Sequence, residues 1–462
     1  MVRAISQQWA DYATGLRFED LPPVAIRAAK RFLLDSLGCA LGGSRTEDFR
    51  IVCDVIAELG GSEECTVIGC HLRTNCRNAA FANSLAIRAM DYNDVYWRQD
   101  PCHPSDLLPA ALSVGEREGR SGKELLVATV IAYELEMRIC ESAMPGIREL
   151  GWHHATLTQF VSPVVAGKML GLNRDQMVSA IGISASHNGT LGAVTAGQLT
   201  MMKNTVDPMA TESGVMAALL ARRGYQGPEE IFEGREGLFR SLGKEWNADA
   251  LTTDLGRTFR IAECSLKPFP SEALTHAPVS AVLDLVRAHD LKAEDIEQVQ
   301  VWTLKRAAEI LADPTKYLIT SRETADHSLP YCIAAAVVDR ELTPRQFGNE
   351  RLSDPSIHRL LESVSVRVEP AFEERFPRDQ PCRVEIRLRN GQVLKKQRDF
   401  PRGDPRDPLS ESELRSKFSS LAEKVIEMGQ QELVLKSIEG LENLRDLDVL
   451  LTALSPNDRG DH

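Results

Sequence analysis

The chain has 462 residues and a formal net charge of −12 at pH 7, and 43% of its residues are hydrophobic and 26% charged. This length exceeds what one hydrophobic core usually organises, so it predicts two or three domains of an ordinary globular protein. The acidic balance, with no Lys/Arg-rich stretch, argues against nucleic acid as a partner. No membrane contact is expected, because the longest apolar run, 125–133, is far below the roughly 18 residues of a spanning helix. No signal-peptide pattern opens the chain, and we expect a cytoplasmic protein.

The ten cysteines are scattered and form no Cys-x-x-Cys pair. A disulfide framework or a zinc ribbon is therefore not expected. The densest group is Cys65, Cys70, His71 and Cys76, which could be interpreted as metal ligands. Its spacings match no common metal site, and cysteine is often only a small buried residue. We expect chemistry without a metal.

Helical periodicity dominates from residue 21 to about residue 260. Pro22 and Pro23 begin a segment in which apolar residues such as Phe32 share one face, and the segment ends at Gly42 and Gly43. Further helices are predicted at about 47–59, 77–89, 105–118, 123–142, 155–170, 174–186 and 207–223. In this part, only 65–68 hints at a strand. The pattern indicates a large all-helical domain.

After Cys264 the pattern changes to a helix at about 274–289 and strands near 299–304, 363–368 and 384–388. The last strand leads into Asn390-Gly391 and a further short strand, which is the strongest short-range hairpin signal. A linker at 401–408 and two helices, 411–428 and 441–454, complete the chain. We predict a mainly α fold, with an all-helical domain (1–264 and 404–462) and a smaller α+β lid domain (265–403) inserted before the C-terminal helices. The C-terminal helices are expected to pack on the helical domain.

The segment from Met90 to Asp106, which we call the polar connection, lies between two apolar helical segments. It gathers acids, aromatics, an Arg and a His in a stretch too polar for a core. Such a connection between buried helices can hold side chains toward a pocket. His103 precedes Pro104 at a predicted helix start, where the positive end of the helix dipole favours an anion. The structural alternative is that Asp91 and Asp94 only end one helix and cap the next.

Four other motifs carry residues with chemical potential. They are Gly151-Trp152-His153-His154, Met202-Lys203-Asn204-Thr205-Val206-Asp207-Pro208, Lys267-Pro268-Phe269-Pro270-Ser271 and Glu323-Thr324-Ala325-Asp326-His327-Ser328-Leu329-Pro330-Tyr331. Taken singly, each lysine is most often a surface charge, and histidines that open helices often only cap or stack. Their joint occurrence favours acid–base work on a small polycarboxylate, with cations neutralising its carboxylates. Elimination of water, decarboxylation and epimerisation all stay open.

With these five motifs in this order, the chain resembles the MmgE/PrpD family, which includes 2-methylcitrate dehydratases, cis-aconitate decarboxylases and an iminodisuccinate epimerase. The resemblance implies a helical domain with an α+β lid, a homodimer, and a site between the domains without metal or organic cofactor. It implies that the catalytic residues are Asp91, His103, His153, Lys203 and Lys267. We predict substrate contacts from Asp94, Ser105, His154, Ser271, His327 and Tyr331. The hypothesis for proton transfer is His103 oriented by Asp91.

One departure bears on the choice of reaction. Decarboxylase-like members of the family commonly have a Thr after the Asp-x-x-Asp unit, whereas this chain has Val95. The run from Asp91 to His103 is also slightly longer in this chain than in the decarboxylases. We therefore predict a cofactor-independent hydro-lyase that dehydrates 2-methylcitrate or a related hydroxy-polycarboxylate. The alternatives are a cis-aconitate-type decarboxylase, an epimerase or isomerase of a small dicarboxylate, and a non-catalytic carboxylate-binding protein.

Overall fold

Two hydrophobic cores organise the residues that the structure, a computed structural model, describes: 3–196, 199–243 and 245–456. The larger core draws on residues 5–266 and again on residues from Leu409 onward. The smaller core draws on residues 269–394 together with Val95 and Trp97. The fold is mainly α with small sheets, as the sequence predicts, and the C-terminal helices do return to the larger core. The predicted domain boundaries at 264/265 and 403/404 stay a prediction.

The larger core is built almost entirely from helices. In chain order they are α1 (Ile5–Gly15), α2 (Pro23–Gly43), α3 (Glu47–Leu59), α4 (Cys76–Arg88), α5 (Leu108–Arg117), α6 (Gly122–Ser142), α7 (Ala155–Leu170), α8 (Arg174–Ala185), α9 (Met202–Arg222), α10 (Leu238–Ser241) and α11 (Ala248–Thr252). Local chemistry sets several of these ends: Pro23 opens α2, and α6 begins with a capping box in which Ser121 and Glu124 bond reciprocally. In the described part of the chain, no helix is long and apolar enough to cross a membrane.

The smaller core packs helices against one four-stranded sheet. Its helices are α12 (His276–His289), α13 (Lys305–Leu311), α14 (Arg322–Asp326), α15 (Leu329–Asp339), α16 (Asn349–Leu352), α17 (Pro355–Leu361) and α18 (Pro370–Glu373). The C-terminal helices that follow are α19 (Glu411–Ala422), α20 (Met428–Glu439) and α21 (Asp448–Thr452). In chain order the strands are β1 (Cys65–Thr66), β2 (Arg73–Thr74), β3 (Asp94–Trp97), β4 (Pro101–Cys102), β5 (Ala143–Met144), β6 (Glu245–Trp246), β7 (Ser265–Leu266), β8 (Ile296–Thr303), β9 (Val364–Val368), β10 (Cys382–Leu388) and β11 (Val393–Arg398).

The four-stranded sheet has the order β11-β10-β8-β9, with β8 and β9 parallel and the other pairs antiparallel. The hairpin predicted at Asn390-Gly391 is confirmed, because β10 and β11 pair antiparallel across it. Gly391 adopts a φ of +87°, a left-handed conformation that only glycine reaches without strain.

Strand β3 joins the two cores. It pairs with β4 on one side and with β7 on the other, so the polar connection is hydrogen-bonded to the segment that directly precedes the smaller core in sequence. Side chains alternate along a strand, and here Tyr96 enters the larger core while Val95 and Trp97 enter the smaller one. The polar connection therefore lies where both cores meet.

The main difference from the sequence prediction concerns α9, which begins at Met202 instead of near residue 207 and contains Pro208 in its interior. Lys203 consequently lies in the first turn of a helix, not on a loop before it. A second difference is the short helix α14, capped by Ser321, which is not among the predicted helices. The strand hint at 65–68 is confirmed only for Cys65 and Thr66.

Candidate active site

A small cavity of about 70 Å³ lies where the two cores meet. Residues of both cores and of the polar connection line it: Arg88, Asp91, Val95, Trp97, Pro101, His103, Arg148, His153, His154, Thr195, Leu199, Lys203, Lys267, Glu272, Ala273, Ile310, Lys316 and His327. A cleft of about 910 Å³ shares Arg148, Thr195, Leu199, Ile310 and Lys316 with the cavity. The shared lining shows that the cavity adjoins this outer cleft.

Asp91 is the electrostatic centre of the cavity wall. Its carboxylate oxygens lie 3.1 Å from Lys203 Nζ and 2.5 Å from Lys267 Nζ, and Arg88 Nη1 lies 3.5 Å away. Burial disfavours charge on this carboxyl, but the three cations outweigh burial and hold the pKa of Asp91 well below its usual range. Asp91 also has a φ of +49°, which aspartate tolerates better than most residues.

The two lysines differ in how fully the protein satisfies them. Lys267 Nζ donates to the Asp91 carboxylate, to the Asp91 carbonyl at 3.1 Å and to the Ser271 carbonyl at 3.2 Å, which uses all three of its N–H bonds. Among the described residues, Lys203 Nζ donates only to Asp91, and it lies 3.8 Å from Asp326. Lys203 therefore keeps donors for a ligand, whereas Lys267 mainly shapes the site.

Three neighbouring imidazoles, His103, His153 and His154, line the cavity. The ring centroids of His153 and His154 are 3.9 Å apart, and those of His154 and His103 are 5.5 Å apart. The hypothesis that Asp91 orients His103 is not supported by the geometry, because the partner of His103 Nδ1 is the Asp94 carbonyl at 2.6 Å. Asp91 is instead engaged by the lysines and Arg88. A carbonyl only accepts, so His103 carries its proton on Nδ1 and exposes the lone pair of Nε2.

His153 has the opposite tautomer. Its Nδ1 accepts a hydrogen bond from the backbone N–H of Ala155 at 3.2 Å, so its proton lies on Nε2. Burial, reinforced by the cations nearby, lowers the pKa of both His103 and His153 well below the usual value. Both rings are therefore neutral at pH 7, one offering a base and the other a hydrogen-bond donor.

Seven of the predicted site residues line the cavity: Asp91, His103, His153, His154, Lys203, Lys267 and His327. Asp94 and Ser105 do not, because they bind each other behind it: Ser105 Oγ donates to Asp94 Oδ1 at 2.6 Å. Ser271 contributes its carbonyl to Lys267, and its hydroxyl meets Thr275. Tyr331 lies in the smaller core and donates to the Gln346 carbonyl at 2.5 Å. The positions of these four give no support to direct substrate contact.

Four charged residues that line the cavity were not singled out by sequence reasoning: Arg88, Arg148, Glu272 and Lys316. Arg88 could have been found from its i,i+3 spacing to Asp91, which places a cation beside an acid at a helix end. Arg148 lies over the Trp97 ring, with 6.0 Å between its guanidinium carbon and the ring centroid. Among the described residues, neither the Arg148 guanidinium nor the buried Lys316 ammonium has a hydrogen-bond or ion-pair partner. No sequence signal marks those two.

A lysine outside the cavity fixes its two main loops. Lys417 of α19 donates to the Tyr92 carbonyl at 2.7 Å and to the Lys267 carbonyl at 3.0 Å, and its ammonium lies 2.6 Å from Asp35. The C-terminal helices therefore hold the polar connection and the Lys267 loop in register.

Three groups of side chains bring ligand-type atoms close enough for a metal ion: Asp91/Asp326/His327, His153/His154/Asp207 and Cys102/Glu136/Cys140. The first already has a cation in Lys203, and the second has one in Arg88, whose Nε lies 3.9 Å from Asp207. In the third, burial raises the pKa of both thiols, which disfavours the thiolates that a metal needs. The prediction of metal-free chemistry stays a prediction.

Taken together, an enclosed chamber rich in cations, with neutral imidazoles in two tautomers, is typical of an enzyme that moves protons on a small anion. The chain belongs to the MmgE/PrpD family, as the sequence motifs predicted. Residues 7–250 match the MmgE/PrpD N-terminal domain, and residues 269–443 match the MmgE/PrpD C-terminal domain.

The chain is similar to enzymes of two kinds. It is 27% identical to human cis-aconitate decarboxylase over 98% of this chain and 95% of that protein. It is 26% identical to the mitochondrial 2-methylcitrate dehydratase of Yarrowia lipolytica, over 84% and 78% of the two chains. The 2-methylcitrate dehydratase of Salmonella typhi is 24% identical, over 77% and 76%.

Proposed function

We propose that this protein is a cofactor-independent lyase for a small polycarboxylate, and that its reaction is dehydration of 2-methylcitrate or a related hydroxy-polycarboxylate to a cis-aconitate-type product. One observation carries the proposal: Arg148 and Lys316, which have no anionic partner among the described residues, line the same cavity as the neutral imidazole of His103. A protein with a net charge of −12 that concentrates positive charge at one place has a local preference for anions there.

The carboxylates of the substrate would be held by cations that still have free donors. Lys203 has two N–H bonds not used by Asp91, and Arg148 and Lys316 have no anionic partner among the described residues. Arg148 can hold a carboxylate in a two-point fork, whereas the lysines act as point charges. Both Arg148 and Lys316 also line the outer cleft, so they would meet the anion first.

The proposed chemistry begins with His103. Its Nε2 lone pair removes the proton next to a substrate carboxylate, and the Asp94 carbonyl stabilises the imidazolium that forms. Negative charge then develops on the carboxylate oxygens, where Lys203 and the Nε2–H of His153 can donate. Loss of the neighbouring hydroxyl, protonated by a second group, completes the elimination.

The second candidate is decarboxylation of a cis-aconitate-type substrate in the same site. It is favoured by the similarity to human cis-aconitate decarboxylase, which extends over 98% of the chain, whereas that to the dehydratase from Yarrowia lipolytica covers 84% and that to the one from Salmonella typhi 77%. Against it stands Val95, which lines the cavity where decarboxylase-like members of the family commonly have Thr.

Proton NMR of the purified protein in deuterated water, with 2-methylcitrate, citrate and cis-aconitate, separates these reactions. Alkene signals from either citrate would support dehydration, and itaconate from cis-aconitate would identify a decarboxylase. Deuterium incorporation without net change would indicate an epimerase, and binding without turnover would indicate a carboxylate-binding protein. A folded His103→Ala protein that kept full turnover would contradict the assigned base.

We also propose that the enzyme works as a cytoplasmic homodimer and needs no metal. Light scattering after gel filtration should give twice the chain mass of 51.1 kDa, and a mass of one chain would refute the dimer. Turnover should survive prolonged dialysis against a strong chelator, with metal content followed by mass spectrometry. Loss of activity that Zn²⁺, Mn²⁺ or Fe²⁺ restores would contradict metal independence.

A further inference from the structure

Glu272 is a carboxyl of the cavity that takes no part in the proton removal assigned to His103. It directly precedes a short 3-10 helix, Ala273–Thr275, that leads into α12, and its backbone N–H donates to the Asp326 carbonyl at 3.0 Å. One side-chain oxygen, Oε2, accepts from the backbone N–H of Leu274 at 2.6 Å. The other oxygen, Oε1, has no hydrogen-bond partner among the described residues.

This arrangement differs from that of Asp91, the other acid that lines the cavity. Asp91 is in contact with three cations, whereas Glu272 has no ion pair within 4.0 Å in the described part of the chain. A carboxyl without a cation partner in an enclosed site is readily protonated, and a protonated carboxyl is a donor. Elimination of water needs such a donor, because hydroxide is a poor leaving group.

Four other groups in the cavity are poorly suited to this role. His103 and His153 are neutral, and the nitrogen that His103 exposes is a lone pair. The three N–H bonds of Lys267 are used within the protein. Lys203 is a further cation beside Asp91, and loss of its proton would leave that carboxylate less compensated.

We propose that Glu272 is the general acid of this site and protonates the hydroxyl that leaves, an assignment that rests on the proposed function. In the proposed step, His103 Nε2 takes the proton from carbon, and that electron pair forms the carbon–carbon double bond. The carbon–oxygen bond breaks, and its electron pair stays on the leaving oxygen. That oxygen takes the proton of Glu272 and departs as water. The His103 imidazolium and the Glu272 carboxylate remain. Transfer of one proton from His103 to Glu272, directly or through water, restores the enzyme.

Electrostatics support this assignment. Burial raises the pKa of Glu272 to about 7, and the negative charge of Asp91 adds to the rise. The hydrogen bond from Leu274 and the positive charges of Lys267 and Arg148 lower the pKa, but they do not outweigh burial. Both protonation states are therefore populated near neutral pH, which suits an acid that must be reprotonated in each cycle. The charged and titratable groups around Glu272 are Arg88, Asp91, His103, Arg148, His153, His154, Lys203, Lys267, Lys316, Asp326, His327 and Cys332.

The decisive variant is Glu272→Gln, because glutamine still offers an oxygen to the Leu274 N–H but cannot donate an acidic proton. We expect kcat to fall on the order of 100-fold or more, while KM changes by less than about threefold. Wild-type kcat should decline as pH rises through about 7, and this decline should be absent from the residual activity of Glu272→Gln. Glu272→Asp should recover part of the wild-type kcat and part of the decline of kcat with rising pH.

The matched control is Glu263→Gln, which removes the same charge from an exposed residue paired with Arg98, and it should behave like wild type. If wild type turns over its substrate and Glu272→Gln keeps more than half of kcat, or keeps the decline near pH 7, the general-acid assignment is overturned and the proposed function stands.

If wild type turns over none of the polycarboxylates, the proposed function fails, and the state of Glu272 is read directly. Carbon-13 NMR of protein labelled at glutamate Cδ, with Glu272→Gln as the blank, would then follow this carboxyl. A midpoint near pH 7 supports an acid in the cavity, and a carboxyl fully ionised at pH 5.5 overturns it.

Discussion

Replacing Asp91 by asparagine should destabilise the protein strongly, because its carboxylate lies against three buried cations. Asn keeps the shape of the side chain and tolerates the φ of +49°, so the change removes charge with little backbone cost. The two lysine ammoniums at 3.1 and 2.5 Å, and Arg88 at 3.5 Å, would all lose their shared anion. Removal of one partner from a buried pair costs about 3–5 kcal/mol, and we expect Asp91→Asn to lie at the upper end.

The assay is guanidinium unfolding of wild type, Asp91→Asn, Lys267→Met and the double variant. The double variant should be less destabilised than the sum of the single changes by about 2–3 kcal/mol, since Asp91→Asn leaves the Lys267 ammonium buried without its carboxylate and Lys267→Met removes that charge. Asp290→Asn is the matched control: Asp290 has the same φ of +49° but is exposed and paired with Arg340, so its replacement should leave the unfolding free energy nearly unchanged.

The effect should also have a defined dependence on pH. The pKa of Asp91 is lowered in the folded protein, so its stabilising contribution is complete above the usual aspartate value of about 3.9 and is lost only as pH falls below it. The difference between wild type and Asp91→Asn should therefore be the same at pH 7 and at pH 5. A difference below about 1 kcal/mol, or a coupling with Lys267 below about 0.5 kcal/mol, would refute the reasoning.

Three further predictions concern catalysis by the same site. Lys203→Met should raise KM by about 10- to 100-fold, because the substrate loses one charge-assisted hydrogen bond. Its unfolding free energy should change less than that of Lys267→Met, since Lys267 is the lysine that the protein satisfies fully. Equal effects of the two variants on KM and stability would contradict their different roles. The pKa of His103 is lowered, so this base stays unprotonated as pH falls. We therefore expect that kcat/KM does not decline between pH 7.5 and 6. A decline on the acid side with a midpoint near pH 6.5 would argue against His103 as the base. Val95→Thr should raise the ratio of decarboxylated to dehydrated product several-fold in the NMR assay, and an unchanged ratio would remove Val95 from the choice of reaction.

The sequence was most informative where local chemistry decides structure. The helices near 47–59, 123–142 and 155–170 and the hairpin at Asn390-Gly391 agree with the structure to within a residue or two, because apolar periodicity, capping residues and glycine act over a few positions. The start of α9 was missed, since Pro208 signals a helix start from sequence, yet here it lies one turn inside the helix.

The site was predicted in part for the same reason. Asp91, His103, His153, Lys203 and Lys267 stand in distinctive motifs, and all of them line one cavity. Glu272, Arg148 and Lys316 stand in no such motif, so only the meeting of the two cores brings them to the same wall. Tyr331 stands in a motif but packs in the smaller core, because its position on α15 places it away from the cavity.

By itself, the sequence determined the mainly α fold, the family and the residues most suited to proton chemistry, since these depend on local patterns and on recognisable motifs. Only the tertiary structure decided how those residues share their hydrogen bonds. It showed that His103 is held by a backbone carbonyl and not by Asp91, that Lys267 uses all its N–H bonds within the protein while Lys203 does not, and that Glu272 has no ion pair among the described residues. Protonation and free donors depend on burial and on neighbours distant in the chain, and a linear pattern carries neither.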